Sequence, residues 1–319
     1  MSLIKEIRTK AKKIKGKIVL PEANIDSRVY NACKYILENG LSDIIVFGQE
    51  KDYDRAFKNP HCEIIDINSY PKIDEFADRL YELRKHKGMT LESARDLVRQ
   101  ADYFSMLLVV AGQADGVVAG STWSTADTLR PALQVIKTKK DKPIVTGIML
   151  MTRDDARPLV FGDVSLVENP TAENLSDIAI SSAEFMEKVV GVEPKVAMLS
   201  YSTKGSAKSE MVDKVRIATE LANEKSHYAI DGEMQVDSAL DIATAEKKGV
   251  TSSVGGNANV LIFPDLNAGN IGYKLVARLG GYKAIGPIML NFNKPVNDLS
   301  RGCTVDEIVD TVCMTKLLI

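Results

Sequence analysis

The sequence predicts an α/β fold, and three observations carry that expectation. Short apolar runs such as Lys17-Ile-Val-Leu and Asp43-Ile-Ile-Val-Phe alternate with segments of helical periodicity, the rhythm of a parallel sheet. Several runs stop at glycine or proline and give way to polar loops that open helices. The third is length: 319 residues exceed what one core usually organises, so two domains, or one large α/β unit with an inserted lobe, are expected.

Composition excludes several function classes. With 45% hydrophobic and 26% charged residues and a net charge of -2, the chain has ordinary globular composition and nothing basic enough for nucleic acid. Cys33, Cys62, Cys303 and Cys313 lack CxxC pairing, which argues against a disulfide framework or zinc site and suits a reducing cytoplasm. No apolar run approaches the roughly 18 to 20 residues of a membrane span, and the N-terminus lacks a signal-peptide apolar core. The chain is expected to be neither secreted nor embedded.

In chain order, a basic amphipathic helix leads to a strand from 17 that ends in Pro21, a helix over 27–37 and a strand at 43–48. Residues 74–99 read as helical and highly charged, with Arg84 on a solvated face. An apolar helix at 103–111 precedes a short buried strand at 115–120 that ends in glycine. The polar break Thr138-Lys-Lys-Asp-Lys-Pro marks a domain boundary. Beyond it, 144–151 and 159–161 form paired strands that depart from purely parallel order. A helix with Leu175, Ile178, Ala179, Ser182 and Met186 at helical spacing precedes a strand at 195–200. A strand end and helix start at 231–240, a strand ending at Pro264, a helix through Lys274 and Arg278, and a strand at 284–290 follow. No internal repeat or low-complexity segment interrupts this order.

Four strand-to-helix junctions are suited to anions, because unpaired amides and the helix dipole favour negative charge there. The first, Gly120-Ser-Thr-Trp-Ser-Thr-Ala-Asp-Thr-Leu-Arg, offers Ser124, Thr125 and Arg130, whose planar fork can pair with a phosphate. The second, Tyr201-Ser-Thr-Lys-Gly-Ser-Ala-Lys, offers Ser202, Thr203, Lys204, Ser206 and Lys208. It lacks the Gly-Lys-Ser/Thr order of a P-loop, so a nucleotide triphosphatase is rejected. The third places Lys274 and Arg278 one turn apart, a repulsion that an anion would relieve. The fourth, Asn293-Lys-Pro-Val-Asn-Asp-Leu-Ser-Arg-Gly-Cys-Thr-Val-Asp-Glu, is a polar turn with Ser300 and Arg301, followed by a helix that Thr304 and Glu307 cap at capping-box spacing. Ordinary capping and solvated turns are the alternative at every junction. The three histidines lie in polar segments, the carboxylates are not spaced as metal ligands, and GxGxxG and GxSxG are missing. Together these residues predict a phosphate-containing ligand handled without metal or redox cofactor.

The motifs Ser202-Thr-Lys-Gly-Ser-Ala-Lys-Ser and Lys294-Pro-Val-Asn-Asp-Leu-Ser-Arg-Gly-Cys closely resemble the phosphate acetyltransferase (phosphotransacetylase) group of the phosphate acetyl/butyryltransferase family, over nearly the whole chain. The resemblance implies two α/β domains with mostly parallel sheets and an interdomain active-site cleft: residues 1–140 plus 290–319, and 141–289. It implies a homodimer whose small-molecule substrates are coenzyme A or acetyl-CoA and acetyl phosphate or phosphate, with no cofactor, nucleic acid or membrane partner. It further implies that Ser300 hydrogen-bonds the attacking thiolate and Arg301 orients acetyl phosphate. Arg84 and Arg130 would line the cleft, and Arg278 would hold the diphosphate or 3′-phosphate side of coenzyme A. One departure concerns the base. The family has an aspartate seven residues after the serine, where this chain has Glu307 beside Asp306, so either is a candidate. The alternatives are a phosphate butyryltransferase and a coenzyme A-binding regulatory module without chemistry.

Overall fold

The computed structural model describes residues 2–319 and divides them into two compact units. One comprises the residues up to Lys140 together with Phe292–Ile319; the other is Asp141–Asn291.

The first unit opens with α1 (Leu3–Lys13), β1 (Lys17–Leu20), α2 (Ser27–Glu38), β2 (Asp43–Phe47) and β3 (Cys62–Ile65), and continues with α3 (Ile73–Arg84), α4 (Leu91–Leu97), α5 (Ala101–Val110), β4 (Gly116–Ala119) and α6 (Thr125–Pro131). The charged stretch expected as one helical segment is two helices. Gly88 adopts φ 84°, a left-handed conformation that glycine takes without steric cost, and Thr90 caps α4 by accepting from the Ser93 amide.

The second unit contains β5 (Thr146–Arg153), β6 (Ala156–Gly162), α7 (Ala172–Phe185), β7 (Lys195–Leu199), α8 (Glu210–Lys225), β8 (Ala229–Met234), α9 (Val236–Leu240), α10 (Ile242–Lys247), β9 (Val260–Ile262), α11 (Leu266–Leu279) and β10 (Lys283–Leu290). Its strand order is β10-β5-β6-β9-β7-β8. The pairs β10–β5 and β5–β6 are antiparallel and the others parallel, the mixed order that the sequence predicts.

The chain then re-enters the first unit as β11 (Val296–Asp298) and α12 (Val305–Leu317). Sequence reading treats 293–303 as a turn, but its first half is a strand. Pro295 has no N–H to give, while Val296, Asn297 and Asp298 pair in parallel with Val117, Val118 and Ala119. The sheet is therefore wholly parallel, in the order β11-β4-β1-β2-β3. Ile18, Val19, Leu20, Ile44, Ile45, Val46, Val117 and Val118 are all buried, as expected for a sheet covered on both faces.

One ion pair ties the first helix to the last. Arg8 Nε donates to Asp310 Oδ1 at 2.7 Å and Arg8 Nη2 to Asp306 Oδ1 at 3.1 Å, and Asp310 is fully buried. Removing one partner of a buried pair costs more than the pair contributes, because the remaining charge stays desolvated. Arg8→Ala should therefore lower stability by about 3 kcal/mol, read as a shifted urea midpoint. An unchanged midpoint would show that solvent already compensates Asp310.

Candidate active site

Parallel pairing brings the carboxyl ends of β1, β4 and β11 to one edge of the sheet, the edge where α/β folds bind ligands. Each end continues into a loop, and the three loops are bonded to one another.

The loop after β1 supplies Glu22, only 1% exposed. Its Oε2 accepts from the amides of Gly120 at 2.6 Å and Ser121 at 3.0 Å. Its Oε1 accepts from the amide of Thr122 at 2.6 Å and its hydroxyl at 2.5 Å. The amides expected to meet a phosphate at this junction are thus taken by an internal carboxylate. Gly120 is required here, since its φ is 103° and a Cβ would stand 2.1 Å from Asp298 Oδ1.

The loop after β4 ends in a capping box. Ser124 Oγ accepts from the Asp127 amide at 3.2 Å and donates to its carboxylate at 2.6 Å, so Ser124 is spent on starting α6. Thr125 Oγ1 donates to Asp298 Oδ2 at 2.8 Å and couples this loop to the end of β11. Asp298 is 4% exposed, and its Oδ1 has no hydrogen-bond partner among the described residues. Burial pushes its carboxyl up, Thr125 opposes that, and nearby Glu22 adds to it.

After β11 the chain makes the turn 300–303, in which the Cys303 amide donates to Ser300 O at 2.9 Å and the Gly302 amide to Ser300 Oγ at 3.3 Å. Ser300 and Arg301 are exposed, and the Ser300 hydroxyl proton remains available to a ligand. Thr304 then caps α12: its Oγ1 accepts from the Glu307 amide, while Glu307 Oε2 accepts from the Thr304 amide at 2.7 Å and hydroxyl at 3.1 Å. Glu307 Oε1 makes no hydrogen bond among the described residues. Asp306 is exposed and pairs with Arg8. Burial pushes the Cys303 thiol up to about 11, with nearby Arg28 pulling the other way, so it is a poor thiolate.

Arg84, at the end of α3, and Arg130, on α6, both lie near enough to Tyr103 to act on it electrostatically. Burial pushes the Tyr103 hydroxyl up, Asp102 adds to this, and the two guanidinium groups oppose it. Tyr103 donates to Gln134 Oε1 at 2.9 Å. Arg130 is exposed and Arg84 half-buried.

The remaining sequence-predicted residues belong to the second unit, where internal bonds again occupy the loop. Glu233 Oε1 accepts from Ser202 Oγ at 2.9 Å and from the Gly205 amide at 2.7 Å. Ser206 Oγ accepts from the Thr203 amide at 3.0 Å, and Thr203 Oγ1 accepts from the Gln235 amide at 3.0 Å. Lys204 is ion-paired with Asp231. Lys208 and Arg278 are exposed, and Lys274 lies over the Tyr273 ring. Of the groups expected to bind anions in this unit, Lys208 and Arg278 are the ones turned to solvent without an internal partner among the described residues. No group of three or more His, Cys, Asp or Glu among the described residues is arranged to hold a metal ion.

Sequence reading passes over Glu22, Arg28 and Tyr103, and gives Asp298 no role beyond its place in the polar turn. A glutamate directly after the strand-ending Pro21, and an Asp26-x-Arg28 pair at a helix start, are the available local signals, and neither reveals partners some 90 or more residues away.

A family model described as phosphate acetyl/butaryl transferase matches residues 2–316. A phosphate acetyltransferase of Acetivibrio thermocellus is 46% identical over 99% of this chain and 98% of its own length. One of Clostridium acetobutylicum is 45% identical over 99% and 98%. A crystal structure of a phosphotransacetylase from Streptococcus pyogenes superposes with a TM-score of 0.93 at 42% identity, covering 99% of this chain and 97% of that one.

The Asp298 carboxyl gives a pH signature. A carboxyl raised on folding makes the native state bind more protons than the unfolded one, so its contribution falls as pH rises through the unfolded value of about 3.9 to the raised folded value. Asp298→Asn should melt above the wild type at neutral pH, and the two should converge as pH falls toward about 4. A gap that widens on acidification would contradict this assignment.

Proposed function

The chain belongs to the phosphate acetyl/butaryl transferase family, and we propose that it works by direct attack of the coenzyme A thiolate on acetyl phosphate with both substrates bound. It is an acyltransferase that moves an acetyl group between acetyl phosphate and coenzyme A. The observation that carries the mechanistic reading is the turn 300–303, which leaves the Ser300 hydroxyl and the Arg301 guanidinium exposed at the carboxyl edge of the sheet, with Glu307 in the first turn of the helix that follows.

In the forward direction, Glu307 Oε1 takes the thiol proton while Ser300 donates a hydrogen bond to the sulfur. A carbon–sulfur bond forms, the bond from the acetyl carbon to the phosphate oxygen breaks, and the electron pair leaves on phosphate beside Arg301. A thiol of pKa about 8.5 is only a few per cent ionised at pH 7, so a positioned base contributing roughly 10²–10⁴-fold matches the need. Holding both substrates in line can supply roughly 7–11 kcal/mol, so a covalent enzyme intermediate is unnecessary. Arg84 and Arg130 take anionic parts of the substrates, and Lys208 and Arg278 take phosphates of coenzyme A. Ser124, Thr125, Ser202, Thr203, Lys204 and Ser206, read in the sequence as binding residues, instead shape their loops, since their polar groups serve internal partners.

Two further readings concern context. The active form is a homodimer, supported by Ile271, Leu275 and Leu279, an exposed apolar stripe on α11 at four-residue spacing. The compartment is the cytoplasm, supported by four cysteines that are all free. No helix among the described residues is long and apolar enough to cross a membrane.

The two candidate bases are separable. Glu307→Gln keeps an acceptor for the Thr304 amide, so the cap survives, while kcat should fall by about 10²-fold or more. Asp306→Asn, which alters only the contact with Arg8, should keep kcat within about threefold. The reverse pattern would move the base to Asp306, and two active variants would remove the carboxylate from the chemistry.

A further inference from the structure

We propose that Arg28 is a positioning residue for acetyl transfer, holding the turn 300–303 and the loop 120–124 in one fixed relation. The inference rests on the assignment of Ser300 and Arg301 to the chemistry.

Arg28 lies in the first turn of α2, whose N-cap is Asp26. Its Nε donates to Asp26 Oδ1 at 3.1 Å and its Nη2 to Asp26 Oδ2 at 2.6 Å, a bidentate pair that fixes the plane of the guanidinium. The same Nη2 donates to Ser121 O at 3.1 Å. Nη1 donates to Arg301 O at 2.7 Å and to Cys303 O at 3.0 Å. A guanidinium carries five N–H donors, and here they face five oxygens. Nothing remains for a substrate phosphate, which separates Arg28 from the half-buried Arg84 and the exposed Arg130 and Arg301.

Three of those acceptors are backbone carbonyls on the two loops that meet around Asp298. Arg301 O belongs to the peptide between Arg301 and Gly302, so the bond from Nη1 fixes the backbone of the turn from which the Ser300 hydroxyl and the Arg301 side chain project. Asp26 steadies the clamp from behind: against the opposing pull of burial, the Arg28 guanidinium holds its carboxyl below the usual range. A lysine has one compact ammonium and no fork, so it can keep the charge beside Asp26 but cannot span both loops.

The test compares the wild type with Arg28→Ala, Arg28→Lys and Ser300→Ala, and with Arg28→Ala combined with Ser300→Ala. Acetyl-CoA formation is followed from coenzyme A and acetyl phosphate, and thermal melting is recorded for each variant. A misplacement of about 1 Å costs on the order of 10²-fold, so kcat of both Arg28 variants should fall by about ten- to a hundredfold while KM for coenzyme A stays within about threefold. Guanidinium ion at low concentration should restore part of the rate to Arg28→Ala. In the Ser300→Ala background the Arg28→Ala change should cost little more, because both act through one turn. The proposal is overturned by a folded Arg28 variant with kcat within about twofold of wild type, by a defect confined to KM, or by full additivity with Ser300→Ala. If Arg28→Ala does not fold, Arg28→Lys decides by the same criteria. Should Ser300→Ala alone retain its rate, the catalytic assignment fails, and that outcome is distinct from failure of the Arg28 inference.

Discussion

The carboxyl edge of the first sheet depends on a buried carboxylate. Glu22 accepts three loop amides and a hydroxyl, and so fixes the loop that leaves β4. Hydrogen bonds to a charged acceptor contribute roughly 1.5–3 kcal/mol each, whereas a buried amide left without an acceptor costs roughly 1–3 kcal/mol. The loop therefore has one strongly favoured shape. Because Glu22 lies two residues after β1, the shape is referred to the central strand of the sheet. Asp298, Thr125 and the turn 300–303 are then set against that loop through the parallel pairing of β11 with β4.

The same device recurs in the second unit. Glu233 fills the loop after β7, and Asp163, after β6, accepts from the Gly147 amide at 2.7 Å and the Ser165 and Leu166 amides at 2.8 Å each. Strand-to-helix junctions in α/β proteins offer amides to anions. In this chain three of them hold an anion of the protein's own. The donors left without internal partners at these junctions are side chains turned to solvent, among them Lys208, Arg278 and the Ser300 hydroxyl. The consequence is rigid loops carrying flexible cations, an arrangement in which orientation comes from the backbone and charge from the long side chains.

What was legible in the sequence follows the range of the interactions. The βαβ rhythm, the antiparallel start of the second sheet and the Thr304–Glu307 cap are local patterns, and each is present in the structure. The strands β3 and β11 were missed, because four and three residues flanked by turn formers give no periodicity to read. At the anion junctions the internal carboxylates were not legible for a different reason: hydroxyls and glycines at a helix start look alike whether a phosphate or a distant glutamate engages them. Glu22 and its amides lie about a hundred residues apart, and Arg28 and the turn it holds about 270. No spacing rule spans such distances. Conversely, the residues assigned to chemistry sit in a contiguous motif, which is why Ser300, Arg301 and Glu307 were nameable before the loops that hold them.

The central claim is that a buried internal carboxylate, rather than a bound substrate, gives the catalytic edge its shape. The most direct measurement is the turnover of Glu22→Gln in acetyl-CoA formation, paired with its melting temperature. Gln has a single acceptor oxygen and turns an NH₂ group toward loop donors, so a folded variant should lose about tenfold or more in kcat as the loop 120–124 and the turn 300–303 lose their common reference. A Glu22→Gln protein that melts with the wild type and turns over at the wild-type rate would contradict the account.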